Sequence, residues 1–275
     1  MAGPDAARYL LAGRGVRVAR PFNLRVLAPA LCRDDLVRWS WLWRLSWPVA
    51  AAGAVLWAWA TGLPVGRAVA CAAFLMALPG VYGPSVSRPV QVDLPSMAVG
   101  LFAAALMVMA DDPAAVVCAV LLTAVAASFK ESAPVWVALW AWSPWPLLAL
   151  AVPAVVQLVR RPVVDEVTSI PVLRHVHDHP FRSSREHRAG RSRDAWLWVA
   201  PWGATLAALV PPDVRTVAAV VVGHAQLLVA TDTVRLLATT AGPAMALGAA
   251  TNLPANWLLL AVVLHTWWWR QPELI

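Results

Sequence analysis

The chain has 275 residues, of which 60% are apolar and 13% charged, and its mean hydropathy is +0.63. That composition lies outside the range of water-soluble domains and predicts a multi-span membrane protein. A net charge of +7 directs the basic surface to lipid phosphates and headgroups and not to nucleic acid.

Residues 1–46 interleave Arg8, Arg14, Arg17, Arg20, Arg25, Arg33, Arg38 and Arg44 with Leu, Val and Phe, as expected of an amphipathic segment lying in a membrane interface. Met1 to Leu11 lacks the basic start, long apolar stretch and cleavage site of a signal peptide, so insertion is expected to rely on the spans. Trp39, Trp41, Trp43 and Trp47 mark the headgroup level before the first span.

Uncharged runs then predict about ten helices, at 47–62, 66–82, 93–110, 113–128, 131–143, 146–160, 195–211, 214–231, 233–250 and 254–270. Runs such as Ala50 to Ala60 are apolar all round, which sets strands aside in favour of an all-α bundle. Pro144 and Pro146 break one long run and predict a tight turn there. Residues 160–194 form the one long loop, with eight arginines and His175, His177, His179 and His187. No repeat and no Gly/Ser linker divides the chain, so residues 1–275 are read as a single membrane domain. Cys32, Cys71 and Cys118 show neither a disulfide framework nor metal-ligand spacing.

If every crossing reverses direction, one face collects the N-terminal segment, Asp93, Lys130-Glu131, the 160–194 loop and Asp232 to Arg235. It then holds 20 of the 22 basic residues and 12 of the 15 acidic ones. The positive-inside rule places such a face in the cytoplasm.

Candidate chemistry sits on that face. Asp93 opens a helix, where a carboxylate also serves as an ordinary N-cap. Lys130 and Glu131 stand between two apolar helices, as a snorkelling lysine and a capping glutamate also would. Asp232 and Arg235 are three apart, close enough to pair within one turn. The alternating histidines 175, 177 and 179 would point one way in an extended segment, yet a solvated basic loop explains them without a metal. Asn252 and Asn256 flank Pro254 and read as a polar turn between helices. No phosphate loop, nucleophile elbow or zinc-protease pair occurs, and no cofactor is expected.

Taken in order, Asp5 to Gly15 (DAARYLLAGRG), Arg20 to Leu31 (RPFNLRVLAPAL), Asp93 to Met97 (DLPSM), Phe129 to Glu131 (FKE) and Asp232 to Leu236 (DTVRL) resemble the landmarks of GT-C-type polytopic glycosyltransferases. The usual first transmembrane helix of that group has no counterpart ahead of Asp5.

The resemblance implies a multi-pass cell-membrane enzyme that moves a sugar from a polyprenyl-phosphate donor to an acceptor at the extracytoplasmic face, opposite to the orientation implied by the charge bias. It implies Asp5 as the base, with Asp93 as a supporting carboxylate. Arg25, Lys130 and Arg235 would hold the phosphate, with Glu131 and Asp232 beside them. Asp34-Asp35 could supply the base instead. The competing readings are a non-catalytic relative or assembly partner and, last, a transporter, which would need charges buried at mid-membrane.

Overall fold

A computed structural model describes residues 4–18, 21–78, 81, 91–160, 200–226 and 233–268. Among these there is no β-strand, only an isolated bridge between Leu209 and Pro212. The helices are α1 (Pro4–Gly13), α2 (Leu27–Cys32), α3 (Leu36–Ala60), α4 (Val65–Ala77), α5 (Asp93–Val108), α6 (Pro113–Phe129), α7 (Ala133–Ala141), α8 (Ala151–Val159), α9 (Val214–Ala225), α10 (Thr233–Thr240), α11 (Gly242–Asn252) and α12 (Ala255–Trp268). Short 3-10 segments occupy Phe22–Leu24, Trp145–Leu150 and Ala200–Ala208.

Local chemistry sets these boundaries. Asp35 caps α3 by accepting from the Val37 and Arg38 amides, Asp112 caps α6 through the Ala115 amide, and Asp213 caps α9 through the Thr216 amide. Pro113 follows its cap at the first helical position, where a missing N–H costs nothing. Helix α7 ends at Trp142 in the left-handed conformation, and the prolines at 144 and 146 turn the chain where the sequence predicts it.

No helix among the described residues is long and apolar enough to cross a membrane, which overturns the polytopic GT-C-like transmembrane bundle and the multi-pass cell-membrane location expected from hydropathy. An uncharged run is not one helix. The 132–159 run folds as α7, a 3-10 segment and α8, and the 236–269 run is divided among α10, α11 and α12. The longest uncharged helix among the described residues, α6, has 17 residues. It reaches about 26 Å at 1.5 Å per residue, short of a hydrocarbon core of about 30 Å. Helix α3 is longer, at 25 residues, but carries Arg38 and Arg44.

The interfacial amphipathic segment expected over 1–46 is corrected as well. Tyr9, Phe22 and Trp39 from this stretch are buried in a core that also takes Val92 and Phe129.

The chain divides into two compact units, Met1–Gly62 with Ser85–Ser169, and Leu63–Pro84 with Ile170–Ile275. In the first, α3, α5, α6 and α7 approach closely because small residues line their contacts. A Cβ added to Gly53 would lie 3.0 Å from the Leu101 Cβ, and one added to Gly100 would lie 3.1 Å from the Trp140 ring. Trp57 Nε1 donates to the Trp140 carbonyl at 3.2 Å, and Ser96 Oγ to the Ala126 carbonyl at 3.0 Å. Large apolar side chains such as Val117, Leu121, Leu148 and Leu158 are left exposed.

In the second unit, Arg67 donates from one guanidinium nitrogen to the carbonyls of Ala250, Thr251 and Leu253, satisfying the C-terminal end of α11. Asn252 Nδ2 donates to the Ala207 and Pro211 carbonyls at 3.0 and 2.9 Å. It therefore fastens the 200–212 segment, a larger role than the polar turn expected of it. Asn256 stays exposed.

His265 is buried at 1% exposure and meets Phe74 edge-on at 5.7 Å. Burial lowers its pKa to about 4, against a hydrogen bond with the Phe74 backbone that raises it. A base with a depressed folded pKa favours the unfolded chain on acidification, because the unfolded imidazole takes up its proton first. Stability is therefore expected to fall as pH drops from about 6.5 to about 4, by about 3 kcal/mol at the lower end. Urea unfolding across that interval checks this, with His265→Phe expected to flatten the slope.

Candidate functional site in the first unit

The site is assembled from four places along the chain. Helix α1 presents Tyr9, the segment after Phe22–Leu24 presents Arg25, the start of α5 presents Asp93, and the α6–α7 turn presents Lys130 and Glu131. Lys130 caps α6 with extended dihedrals, φ −146° and ψ 120°, so its side chain and that of Glu131 diverge to different partners.

Two ion pairs result. Lys130 Nζ donates to Asp93 Oδ1 at 2.5 Å, and each side chain is only 6% exposed. Arg25 forks onto Glu131, with Nε to Oε2 at 2.8 Å and Nη2 to Oε1 at 3.0 Å. Its remaining nitrogen, Nη1, donates to the Tyr9 hydroxyl at 2.5 Å. Bidentate pairing of this kind is geometrically selective and is stronger than a neutral hydrogen bond.

Aromatic rings form the floor. The Arg25 guanidinium lies 5.4 Å from the Phe22 centroid and 6.0 Å from that of Tyr9, while Arg8 lies 5.0 Å from Phe22. Tyr9 packs edge-on against Phe22 at 5.1 Å and tilted against Trp39 at 5.6 Å.

The electrostatics couple the two pairs. Burial pushes the Tyr9 hydroxyl up to about 12, opposed by the Arg25 charge. Burial disfavours the Arg25 cation, but Glu131, Tyr9 and Asp93 together overcome it and hold the guanidinium protonated. Burial likewise works against the Glu131 carboxylate, and the charge and hydrogen bonds of Arg25 reverse it, so its pKa falls below the ordinary range. Asp93 is felt at Arg25 and at Tyr9, and Lys130 at Glu131.

Of the residues predicted from sequence, Arg25, Asp93, Lys130 and Glu131 are brought together. Asp93 occupies the first position of α5 rather than its N-cap, which is Val92. Asp5 lies in the first turn of α1, with its side chain outside the described residues. Asp232 and the histidines at 175, 177, 179 and 187 lie outside them altogether. Arg235 is part of α10 in the second unit, and its side chain is likewise not described.

The alternative carboxylates have other work: Asp34 accepts from exposed Arg14 Nε at 2.9 Å, and Asp35 caps α3. Tyr9 was missed as a member of the site. Its signal was a lone phenol within an otherwise aliphatic turn, beside Arg8. Among the described residues no three His, Cys, Asp or Glu side chains gather closely enough to hold a metal ion.

Arg25→Met strands the Glu131 carboxylate and is expected to cost about 3 kcal/mol, the low end for a buried pair because Glu131 keeps 24% of its side chain exposed. The double variant Arg25→Met/Glu131→Met should recover most of that loss in urea unfolding at neutral pH. Because the folded Glu131 pKa is depressed, the pair's contribution is present above the ordinary glutamate pKa and is lost as pH falls through the lowered value. No protein family, curated protein or solved structure matches this chain, so its function is read from these side chains and their chemistry.

Proposed function

We propose that the first unit transfers a sugar from a polyprenyl-phosphate donor to an acceptor hydroxyl. The observation supporting this reading is that two cations and two carboxylates, drawn from stretches as far apart as Arg25 and Glu131, meet in one cluster, with Arg25 over the Phe22 ring. Glycosyl transfer needs both charge types. The acceptor oxygen attacks the anomeric carbon, the bond from that carbon to the phosphate oxygen breaks, and the leaving phosphate takes the electron pair. Cations stabilise that developing charge, and a carboxylate accepts the acceptor's proton.

In this reading Arg25 and Lys130 hold the phosphate. Each is held ready by a carboxylate that the donor's singly charged phosphodiester displaces or bridges, and the two cations then meet the second negative charge that the departing phosphate gains. Once Lys130 turns to the phosphate, Asp93 is released as a base at the start of α5. Tyr9 keeps Arg25 oriented during the exchange.

A second reading is favoured by a specific observation. Each of the four charges already has an opposite partner within the cluster, so the network could serve as an internal lock in a non-catalytic protein. The two readings part in one assay. Purified chain is supplied with radiolabelled polyprenyl-phosphate sugar and a panel of acceptor alcohols and glycans. Asp93→Asn strands the buried Lys130 ammonium and is expected to lower the urea midpoint. Transfer is therefore read without denaturant on the variant, shown to be folded by circular dichroism, where it should fall by about 10²- to 10⁴-fold. Absence of label transfer from the wild-type chain, or full activity in Asp93→Asn, removes the catalytic assignment.

A further inference from the structure

A cavity of about 570 Å³ in the first unit is lined by Ala12, Val16, Arg17, Phe22, Asn23 and Arg160, among others. It lies beside the charged cluster, since Phe22 forms part of its wall and also lies against Arg25. Its volume suits a compound the size of a monosaccharide phosphate.

Three features of the lining point to one ligand chemistry. Arg17 and Arg160 are both exposed, and neither guanidinium makes an ion pair or hydrogen bond among the described residues. Among the described residues lining the cavity none is acidic, so the charge they bring is positive. Asn23 is 5% exposed and donates from Nδ2 to the Arg160 carbonyl at 3.3 Å, joining the two walls. Its Oδ1 is buried and has no hydrogen-bond partner among the described residues. A buried acceptor in that state calls for a donor, which a ligand hydroxyl can supply.

We propose that this cavity binds a hydroxyl-bearing phosphate monoester, with Arg17 and Arg160 on the phosphate and Asn23 Oδ1 accepting from a ligand hydroxyl. Phosphate is favoured over carboxylate because a monoester brings three terminal oxygens and up to two negative charges to the two guanidinium groups, whereas a carboxylate brings two oxygens and one charge. The proposal is independent of sugar transfer at the Arg25–Lys130 cluster, because none of its three polar residues belongs to that cluster.

Isothermal titration of the full chain at low ionic strength tests it, with glucose 1-phosphate as the soluble probe. Vesicles of phosphatidylcholine with phosphatidylinositol 4-phosphate serve as the lipid probe, and glucose and plain phosphatidylcholine vesicles as the neutral controls. Saturable binding of either phosphorylated probe, absent with its control, is expected, and the tighter of the two identifies whether the ester is free or a lipid headgroup. Arg17→Gln/Arg160→Gln, at two exposed positions and checked for fold by circular dichroism, should weaken that binding by about tenfold or more. Asn23→Leu should weaken glucose 1-phosphate more than inorganic phosphate, which has no sugar hydroxyl to offer. Failure of both phosphorylated probes to bind, or a smaller loss in the double arginine variant, overturns the proposal.

Discussion

The Arg25–Glu131 fork is the constraint around which the first unit is arranged. It joins the segment after the Phe22–Leu24 turn to the turn between α6 and α7, two pieces of chain with more than a hundred residues between them. Closing so long a loop is entropically unfavourable, and a single solvent-facing ion pair would not hold it. Here the fork is backed by the Tyr9 hydroxyl and by the Phe22 ring, and the buried Lys130–Asp93 pair fixes the adjoining residue of the same turn. Register at the turn is thereby set from two directions. Lys130 must face α5 if Glu131 is to face Arg25.

Burial of four charges is costly, and the cluster offsets that cost by internal neutrality and by satisfying the polar atoms that carry the charge. The consequence is specificity of assembly more than raw stability. A shift of one residue at the α6–α7 turn would present Lys130 to Arg25 and leave both carboxylates unpaired. The neighbours of the charged residues reinforce the register, because Val92 and Phe129, immediately before Asp93 and Lys130, share one buried cluster with Tyr9 and Trp39. Apolar packing positions the backbone, and the charges select one way of docking it.

The charged residues were legible in the sequence because they are rare. A lysine and a glutamate between long uncharged runs and a carboxylate opening one such run stand out against their surroundings, whereas Arg25 is one of eight arginines in its stretch and is singled out only by the resemblance. Arg25, Asp93, Lys130 and Glu131 do meet. Asn23 gave no such contrast, and the lone phenol of Tyr9 stood out without pointing to a role, since a phenol or an amide in an amphipathic stretch has many ordinary ones. Helix placement was also readable: Asp112 and Asp213 start helices where capping chemistry puts them, and Trp142 ends one ahead of Pro144. Helix length was not. Hydropathy averages over turns, so it cannot separate one long apolar helix from two short ones joined by an uncharged corner. The break between α10 and α11 at Ala241 contains no charge at all and is invisible to such a window.

Phe22 shows how the apolar and polar parts of the first unit depend on each other. Its ring lies near both Arg8 and Arg25, packs against the Tyr9 edge, and forms part of the wall of the Arg17–Arg160 cavity. An aromatic face attracts cations without neutralising them, so it can gather guanidinium groups that would otherwise repel one another. With the Arg25 side chain only 13% exposed, the Arg25–Glu131 attraction is stronger than one in bulk solvent. A carboxylate in the same position would have paired with one arginine and left the others unsupported. The ring instead borders the Arg17–Arg160 cavity and Arg25 together, while Glu131 and Asp93 hold Arg25 and Lys130 in place.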